Sequence, residues 1–214
     1  MPLYKTITIN SSTKILIWHI TESLSELNKE VELTSFCREK LEKIKSEPQK
    51  KQFLGVRQLL KVLSYTDSDL YYDIDGKPHL KDTPYISISH SHQYAGVIIG
   101  KQPVGIDIEK QREKILKIAP RFTPLEEYRS LANDEAIIRK LTIVWSAKEA
   151  IYKILNIRGL SFLKDIYVDD FEFDSNTLSA EVNYRQKTHL FNLNFMEFDG
   201  FTCVYALSSP VLQN

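Results

Sequence analysis

The sequence has few of the features that mark disulfide-stabilised, zinc-binding or membrane-spanning proteins. Its 214 residues include only two cysteines, Cys37 and Cys203, which are too few and too far apart for a metal motif or a disulfide framework. No stretch approaches the ~18 apolar residues of a membrane span, and no apolar segment typical of a signal peptide follows Met1. We therefore expect two reduced thiols in a cytoplasmic protein without membrane contact.

An excess of charge of one sign is also missing. The 28 basic and 28 acidic residues cancel, so no overall field favours binding to nucleic acid. Basic side chains nevertheless outnumber acidic ones in two segments, residues 38–61 and 101–121. Such segments usually form a solvated surface, but they can also meet an anionic ligand or an acidic partner.

A flexible linker is the third absence. No stretch rich in glycine and serine divides the chain, and the turn at residues 100–103 lies close to its midpoint. We therefore predict two subdomains, residues 1–102 and 103–214, that pack tightly instead of swinging on a linker. Strand-like alternation and helical segments occur in both halves, which predicts a mixed α+β fold.

The most informative segment that is present covers residues 104–109. Apolar side chains at positions 104, 106 and 108 alternate with other residues, which is the period of a strand. Asp107 and Glu109 would leave one face of that strand about 6–7 Å apart along the chain. Two carboxylates on a rigid element suit Mg²⁺, which completes its shell with water and substrate phosphates. An ordinary strand with one solvated face is the alternative interpretation.

A second segment, residues 133–155, has helical composition and contains neither glycine nor proline. Glu149 and Lys153 are four residues apart and therefore share one face of the predicted helix. They would supply a third carboxylate for a metal and a lysine for a phosphate group. The alternative is an ordinary ion pair on the surface.

The first half of the chain also carries groups that can bind phosphate. Ser89 and His90 lie at the end of a predicted strand, where a hydroxyl and an imidazole can both donate hydrogen bonds. They do not predict a nucleophile and its base, because adjacent residues on a strand face opposite ways. Lys77 follows an Asp-Gly turn, and a predicted helix over residues 46–63 carries further basic side chains: Lys50, Lys51 and Arg57.

In order along the chain, these segments resemble the signature motifs of the 4'-phosphopantetheinyl transferases. Residues 104–109 and 145–153 are similar to the two principal motifs of that family, and their spacing is similar too. The similarity extends to residues 76–78, to residues 86–91, and to Arg121-Phe122 followed by Glu126 and Glu127. The length of the chain resembles the long, Sfp-like group of the family, whose members contain both subdomains.

The resemblance implies two similarly folded subdomains related by a pseudo-twofold axis, with the active site in the cleft between them. It implies transfer of 4'-phosphopantetheine from coenzyme A to a serine of an apo carrier protein, with Mg²⁺ as cofactor and adenosine 3',5'-bisphosphate as product. The implied metal ligands are Asp107, Glu109 and Glu149. The implied catalytic residues are Asp107, Glu149 and Lys153, and the base is either Glu149 or a water held by the metal.

The resemblance also assigns contacts to substrates and partners. The expected coenzyme contacts are Lys50, Lys51, Arg57, Lys77, Ser89, His90 and Lys153. The expected partner is an acidic acyl or peptidyl carrier protein that meets a monomeric enzyme at a basic segment, in which Ile115, Leu116 and Ile118 lie between Lys110, Arg112, Lys114, Lys117 and Arg121. Two other functions stay open: another Mg²⁺-dependent enzyme of phosphate transfer, and a non-catalytic protein that binds coenzyme A or a carrier.

Overall fold

The computed structural model describes residues 2–82, 84–124 and 133–208. The chain forms two compact units, residues 1–103 and residues 104–214. Their boundary lies one residue beyond the one inferred from the turn at residues 100–103. Each unit combines an antiparallel sheet with one long helix, so the mixed α+β class predicted from the sequence is confirmed.

The first unit is built on a four-stranded antiparallel sheet. Its strands are β1 (Leu3–Asn10), β2 (Thr13–His19), β5 (Tyr85–Ser91) and β6 (Tyr94–Gly100), in the order β1-β2-β6-β5. A small hairpin pairs β3 (Leu70–Tyr72) with β4 (Pro78–Leu80). Three helices complete the unit: α1 (Leu24–Lys29), α2 (Ser35–Lys43) and α3 (Glu47–Val62).

The core of this unit lies between α3 and the central strands. Leu59 and Leu60 of α3 are fully buried against Leu16 of β2 and Val97 of β6. Burial of side chains of this size contributes roughly 1.5–3 kcal/mol each. The edge strand β1 has no comparable apolar pattern, because its side chains are exposed or half-buried. It was not predicted from the sequence.

The second unit is built on a five-stranded antiparallel sheet. Its strands are β7 (Val104–Lys110), β8 (Ile166–Val168), β9 (Thr177–Tyr184), β10 (Lys187–Phe198) and β11 (Phe201–Leu207), in the order β7-β11-β10-β9-β8. A short helix, α4 (Lys114–Ile118), follows β7, and the long helix α5 (Asp134–Leu155) packs on β7 and β11.

Helix α5 begins and ends with recognisable capping residues. The side chain of Asn133 accepts a hydrogen bond from the backbone N–H of Ala136, and Asp134 and Glu135 lie in the first turn, where the helix dipole favours negative charge. The helix ends at Asn156, whose φ of 49° is left-handed. Glycine is the usual residue in this conformation, but asparagine also tolerates it.

Glu126 and Glu127 of the family-like motif lie outside the described residues. None of the helices that the structure does describe carries an apolar stretch long enough to cross a membrane.

Candidate active site

The acidic face of β7 is the face that helix α5 covers. Asp107 lies opposite Val204 of β11, and residues directly opposite each other on an antiparallel pair share a face of the sheet. Val204 packs into the same apolar cluster as Ala147 and Ile151 of α5. Asp107 is therefore buried, with 5% of its surface exposed, and does not lie on the solvated face that the alternative interpretation assumed.

Gly105 determines how closely α5 approaches this face. A Cβ atom at that position would lie 2.0 Å from the backbone oxygen of Ala150 and 3.0 Å from a side-chain carbon of Ile154. Only glycine allows two backbones to come this close. The contact fixes α5 against β7, so that Glu149 and Lys153, which neighbour Ala150 and Ile154 on the helix, reach Asp107.

Lys153 bridges the helix and the strand. Its Nζ donates one hydrogen bond to Oδ1 of Asp107 and another to the backbone oxygen of Ile106, both at 2.8 Å. The side chain of Lys153 keeps 25% of its surface exposed, whereas that of Asp107 keeps 7%. The ammonium group of Lys153 is thus held at β7, while part of its side chain remains exposed to solvent.

Glu149 is the electrostatically perturbed group of the site. Burial, followed by the negative charge of Asp107, raises its pKa to about 7, against the attraction of Lys153 and with a smaller contribution from Glu109. Burial and the two neighbouring carboxylates thus outweigh Lys153 at Glu149, which makes its neutral form accessible near neutral pH. A carboxyl group in this state can accept or release a proton at the pH of the cell.

The donor set fits a hard cation. Asp107, Glu109 and Glu149 offer only oxygen ligands, and Mg²⁺ needs one or two carboxylates because it keeps several waters. Within residues 2–82, 84–124 and 133–208, however, no three side chains of His, Cys, Asp or Glu are already gathered as a metal cluster. The pair Asp107 and Glu149, which interact most strongly, is the natural nucleus of a metal site, with Glu109 beside it.

Lys148, next to Glu149, has a structural role that the sequence analysis missed. Its side chain is buried, with 2% exposed. Its Nζ donates to the backbone oxygens of Phe122, Phe162 and Ile166 at 2.5, 2.7 and 2.6 Å. A buried ammonium group is tolerated only when its protons are bonded in this way. Lys148 thereby ties two segments, one at Phe122 and one at residues 162–166, to the turn of α5 that carries Glu149.

The basic residues of α3 that were expected to contact the coenzyme divide into half-buried and buried ones. Lys50 and Lys51 lie in the first turns of the helix, and both are half-buried. Lys51 pairs with Glu47 at 3.5 Å, while Lys50 lines a surface cavity of about 730 Å³ that also contains Arg38. Both lysines remain predictions as coenzyme contacts.

Arg57, which was expected to contact the coenzyme, is buried inside the first unit. It is 3% exposed. Its Nε donates to Oδ1 of Asp67 at 3.0 Å, and its guanidinium lies 3.6 Å from the ring centre of Phe53. Burial alone would raise the pKa of Asp67, but hydrogen bonds from Thr34, Cys37 and Arg57 outweigh it and lower that pKa. The structure therefore gives Arg57 an internal role, and we leave it out of the coenzyme contacts proposed below.

Ser89 and His90 lie in the last three residues of β5, which ends at Ser91. Ser89 is buried with 6% exposed, and His90 is exposed, because neighbouring side chains of a strand leave opposite faces. The role of each residue separately remains a prediction. Lys77 lies in the loop between β3 and β4 and is half-buried.

The basic segment after β7 borders a groove of about 160 Å³. Ile115 belongs to the core of the second unit, and Leu116 and Ile118 pack against that core, so these apolar side chains mainly support the fold. Arg112, Lys114 and Lys117 are exposed. The groove is lined by Glu109, Lys110, Arg112, Lys114, Ile115, Ile118, Thr142 and Trp145.

Comparison with known proteins points to one family. The model of the 4'-phosphopantetheinyl transferase superfamily matches residues 103–205. The chain is 26% identical over 152 residues to the 4'-phosphopantetheinyl transferase gsp of Aneurinibacillus migulanus, covering 69% of this chain and 62% of that protein. It is 38% identical over 96 residues to the 4'-phosphopantetheinyl transferase Sfp of Bacillus subtilis (strain 168), covering 43% and 42%.

A third relative is the 4'-phosphopantetheinyl transferase psf-1 of Bacillus pumilus, which is 34% identical over 92 residues, covering 41% of this chain and 39% of the relative. The chain thus spans about two fifths to three fifths of the length of the curated relatives it matches. The match to the family model covers β7, α5 and most of the remaining second unit. Asp107, Glu109, Glu149 and Lys153 all lie inside it.

Proposed function

From the match of residues 103–205 to the model of the 4'-phosphopantetheinyl transferase superfamily, we propose that this chain transfers 4'-phosphopantetheine from coenzyme A to a serine of an apo carrier protein. The observation that carries the proposal is the contact between β7 and α5. There Lys153 binds Asp107 at 2.8 Å, and the charge of Asp107 helps to raise the pKa of Glu149 to about 7. The acids and the lysine that such a transfer needs lie together in the matched segment.

The reaction forms one bond and breaks one. The serine Oγ attacks the β-phosphorus of coenzyme A, and the bond from that phosphorus to the bridging oxygen breaks, which releases adenosine 3',5'-bisphosphate. The serine proton passes either to a carboxylate oxygen of Glu149, whose pKa of about 7 suits a general base, or to a water that the site orients. Lys153 stabilises the negative charge that develops on the phosphate oxygens.

Asp107 and Glu149 would hold Mg²⁺, with Glu109 as a third ligand. When bound, the metal neutralises the pyrophosphate and polarises its oxygens. A carboxylate that binds a metal has a lower pKa and is a weaker base. The base is therefore either Glu149 or a water that the site orients, and Asp107 fixes Lys153 in both cases.

In the first unit we assign the coenzyme contacts to Lys50, Lys51, Lys77, Ser89 and His90. Charge-assisted hydrogen bonds to phosphate contribute about 1.5–3 kcal/mol each. The lysines are half-buried and can keep their aliphatic stems packed while the ammonium groups reach an anion. His90 is exposed and Ser89 buried, so we assign the stronger contact to His90.

The proposed partner is an acidic acyl or peptidyl carrier protein. The exposed basic side chains Arg112, Lys114 and Lys117 line or adjoin the groove that also contains Glu109. Acidic residues beside the target serine would meet this rim, which would bring the serine towards the acidic face of β7. We also propose a monomeric, cytoplasmic protein that binds neither nucleic acid nor membranes.

One assay tests the function. Apo forms of acyl and peptidyl carrier proteins are incubated with the chain, coenzyme A and Mg²⁺, and their intact masses are measured. We expect a mass increase equal to one phosphopantetheine group on at least one carrier, loss of that increase with a chelator, and no increase when the target serine is replaced by alanine. Hydrolysis of coenzyme A without carrier modification would favour another enzyme of phosphate transfer, and binding of coenzyme A without either reaction would favour a non-catalytic protein.

A further inference from the structure

The loop between β3 and β4 is organised by a single carboxylate. Oδ1 of Asp73 accepts hydrogen bonds from the backbone N–H groups of Asp75 and Lys77, both at 2.9 Å. The backbone N–H of Asp73 donates to the oxygen of Lys77, and its own oxygen accepts from the N–H of Gly76, both at 3.0 Å. Asp73 thus contributes to four of the hydrogen bonds that shape the five residues of this loop.

The other carboxylate oxygen is held from the strand side. Oδ2 of Asp73 lies 3.0 Å from Nε2 of His79 on β4. The ring of His79 stacks on that of Tyr71, its cross-strand partner on β3, with ring centres 5.3 Å apart and planes 21° from parallel. Hydrogen bonds from His79 and from the backbone of Lys77 lower the pKa of Asp73, so the carboxylate is ionised and its orientation is fixed.

This arrangement bears on Lys77, which stands at the end of the loop. Burial lowers the pKa of Lys77, and the charge of Asp73 only partly opposes that effect. An ammonium group that has lost part of its hydration gains more from an anionic ligand than an exposed one does. Its contribution depends on how well the side chain is held in place before the ligand arrives, because ordering a flexible loop on binding costs affinity.

We propose that Asp73 is a positioning residue, which holds the loop of residues 73–77 so that Lys77 is presented to a phosphate group of coenzyme A. The inference rests on the proposed function, since that is what assigns Lys77 to the coenzyme. Asp73 acts through the backbone of Lys77 and not by touching the ligand. Its negative charge opposes the binding of an anion, so its positioning effect and its Coulomb effect have opposite signs.

The opposite signs provide a test. Dissociation constants for coenzyme A are measured by calorimetry, without carrier protein, for the wild type and for Asp73→Ala. If Asp73 only contributes charge, its removal tightens binding. We expect the reverse, a dissociation constant that rises about three- to tenfold, which corresponds to the loss of one or two hydrogen bonds.

Asp75→Ala is the matched control, because it removes the same charge from the same loop at an exposed position. We expect its dissociation constant to stay unchanged or to fall slightly. Asp73→Asn retains a side-chain oxygen that can accept from the two backbone N–H groups, so it should recover most of the affinity. Melting curves of each variant verify that it is folded under the conditions of the titration.

A double-mutant cycle decides whether Asp73 acts through Lys77. Lys77→Met should raise the dissociation constant about tenfold or more, and adding Asp73→Ala to Lys77→Met should raise it no further. If the two factors multiply, or if Asp73→Ala leaves affinity unchanged, the positioning role is wrong although coenzyme A binds. If the wild type neither binds coenzyme A nor modifies a carrier, the proposed function fails, and this inference fails with it.

Discussion

Each unit contains an aspartate paired with a basic side chain, and the two pairs differ in what surrounds them. In the first unit, Asp67 pairs with Arg57 at 3.0 Å, with side-chain exposures of 0% and 3%. In the second, Asp107 pairs with Lys153 at 2.8 Å, with exposures of 7% and 25%. The nitrogen–oxygen distances of the two ion pairs are therefore too similar to distinguish them.

The difference lies in the balance of charge. Asp67 has one counter-charge, and Thr34 donates to it from both its backbone and its side chain, so hydrogen bonding lowers the pKa of Asp67 in spite of burial. For Glu149, burial and the repulsion of Asp107 and Glu109 outweigh the attraction of Lys153 and raise its pKa to about 7. A balanced buried pair serves the fold, whereas an unbalanced group of acids is prepared for a cation or a proton.

The largest effect on the transfer rate should follow from replacing the acids of the second unit's group. Asp107→Ala and Glu149→Ala should each lower the transfer rate by about a thousandfold or more, because they remove ligands of the metal and the support of Lys153. Both proteins should stay folded, since loss of one acid relieves repulsion. Glu109→Ala should have a smaller effect, because Mg²⁺ can replace one carboxylate with water. Rates within tenfold of the wild type, or a collapsed melting curve, would contradict this prediction.

Breaking the buried pair between Arg57 and Asp67 should lower the stability of the fold and leave the transfer rate nearly unchanged. Asp67→Ala leaves the guanidinium of Arg57 buried without its counter-charge and should lower the free energy of unfolding by about 3–5 kcal/mol, as measured by urea denaturation. Replacing both partners, by Arg57→Met with Asp67→Leu, should recover much of that loss.

The control for the balanced pair is Glu30→Ala, which breaks the exposed pair between Glu30 and Lys61 in the same unit and should cost less than about 1 kcal/mol. If Glu30→Ala and Asp67→Ala lowered the free energy of unfolding equally, burial would not account for the stabilising effect of the pair between Arg57 and Asp67. At a temperature where Asp67→Ala is still folded, its transfer rate should stay close to that of the wild type.

Substitution of Gly105 tests whether the arrangement of Asp107, Glu149 and Lys153 depends on the close approach of α5 to β7. Gly105→Ala places a Cβ 2.0 Å from the oxygen of Ala150, so α5 must move, at a cost of roughly 1–3 kcal/mol. A displacement of about 1 Å at Glu149 and Lys153 can lower the rate about 100-fold. The control is Gly55→Ala in α3, where the nearest atoms belong to the movable side chain of Ile20 at 3.2 Å. If both variants keep wild-type rates, the approach of α5 does not govern the site.

The pH dependence of stability should reveal the unbalanced charge directly. The pKa of Glu149 is raised from 4.5 to about 7 in the folded protein, so the folded state binds the proton more tightly than the unfolded state. The contribution of Glu149 to stability is therefore greatest below about pH 4.5 and falls as the pH rises to about 7. Glu149→Gln should flatten this fall in melting temperature, and Glu32→Gln, at an exposed position, should leave it intact. An unchanged slope in Glu149→Gln would show that Glu149 ionises normally.

The smallest effect is expected from charges outside both pairs. Lys114→Glu together with Lys117→Glu should slow carrier modification severalfold at low ionic strength and flatten its dependence on salt, with coenzyme A affinity unchanged, because exposed charges act mainly on association. The control variant, Lys5→Glu with Lys14→Glu, changes the net charge equally at exposed positions of the first unit. Wild-type modification rates in the first variant would place the docking surface elsewhere.

Much of the second unit could be predicted from sequence because its patterns are strong. The period-two alternation of residues 104–109 and the uninterrupted helical composition of residues 133–155 correspond to β7 and α5. The partners of the charged side chains were less accessible to prediction. Nothing local indicates that Lys148 donates to three backbone oxygens, whereas a glycine inside a strand pattern, such as Gly105, is itself a signal of close approach.

The sequence by itself determined which side chains share a face, since the periods of strands and helices are local properties. It placed Asp107 beside Glu109, and Glu149 beside Lys153. Only the tertiary structure decided which charges meet and which are buried. Lys153 reaches Asp107 across 46 residues, and Arg57 turned inward because Asp67 lies where it can receive the guanidinium. Burial and pairing of charge depend on groups distant in the chain, and the energy of a charge is set by those groups.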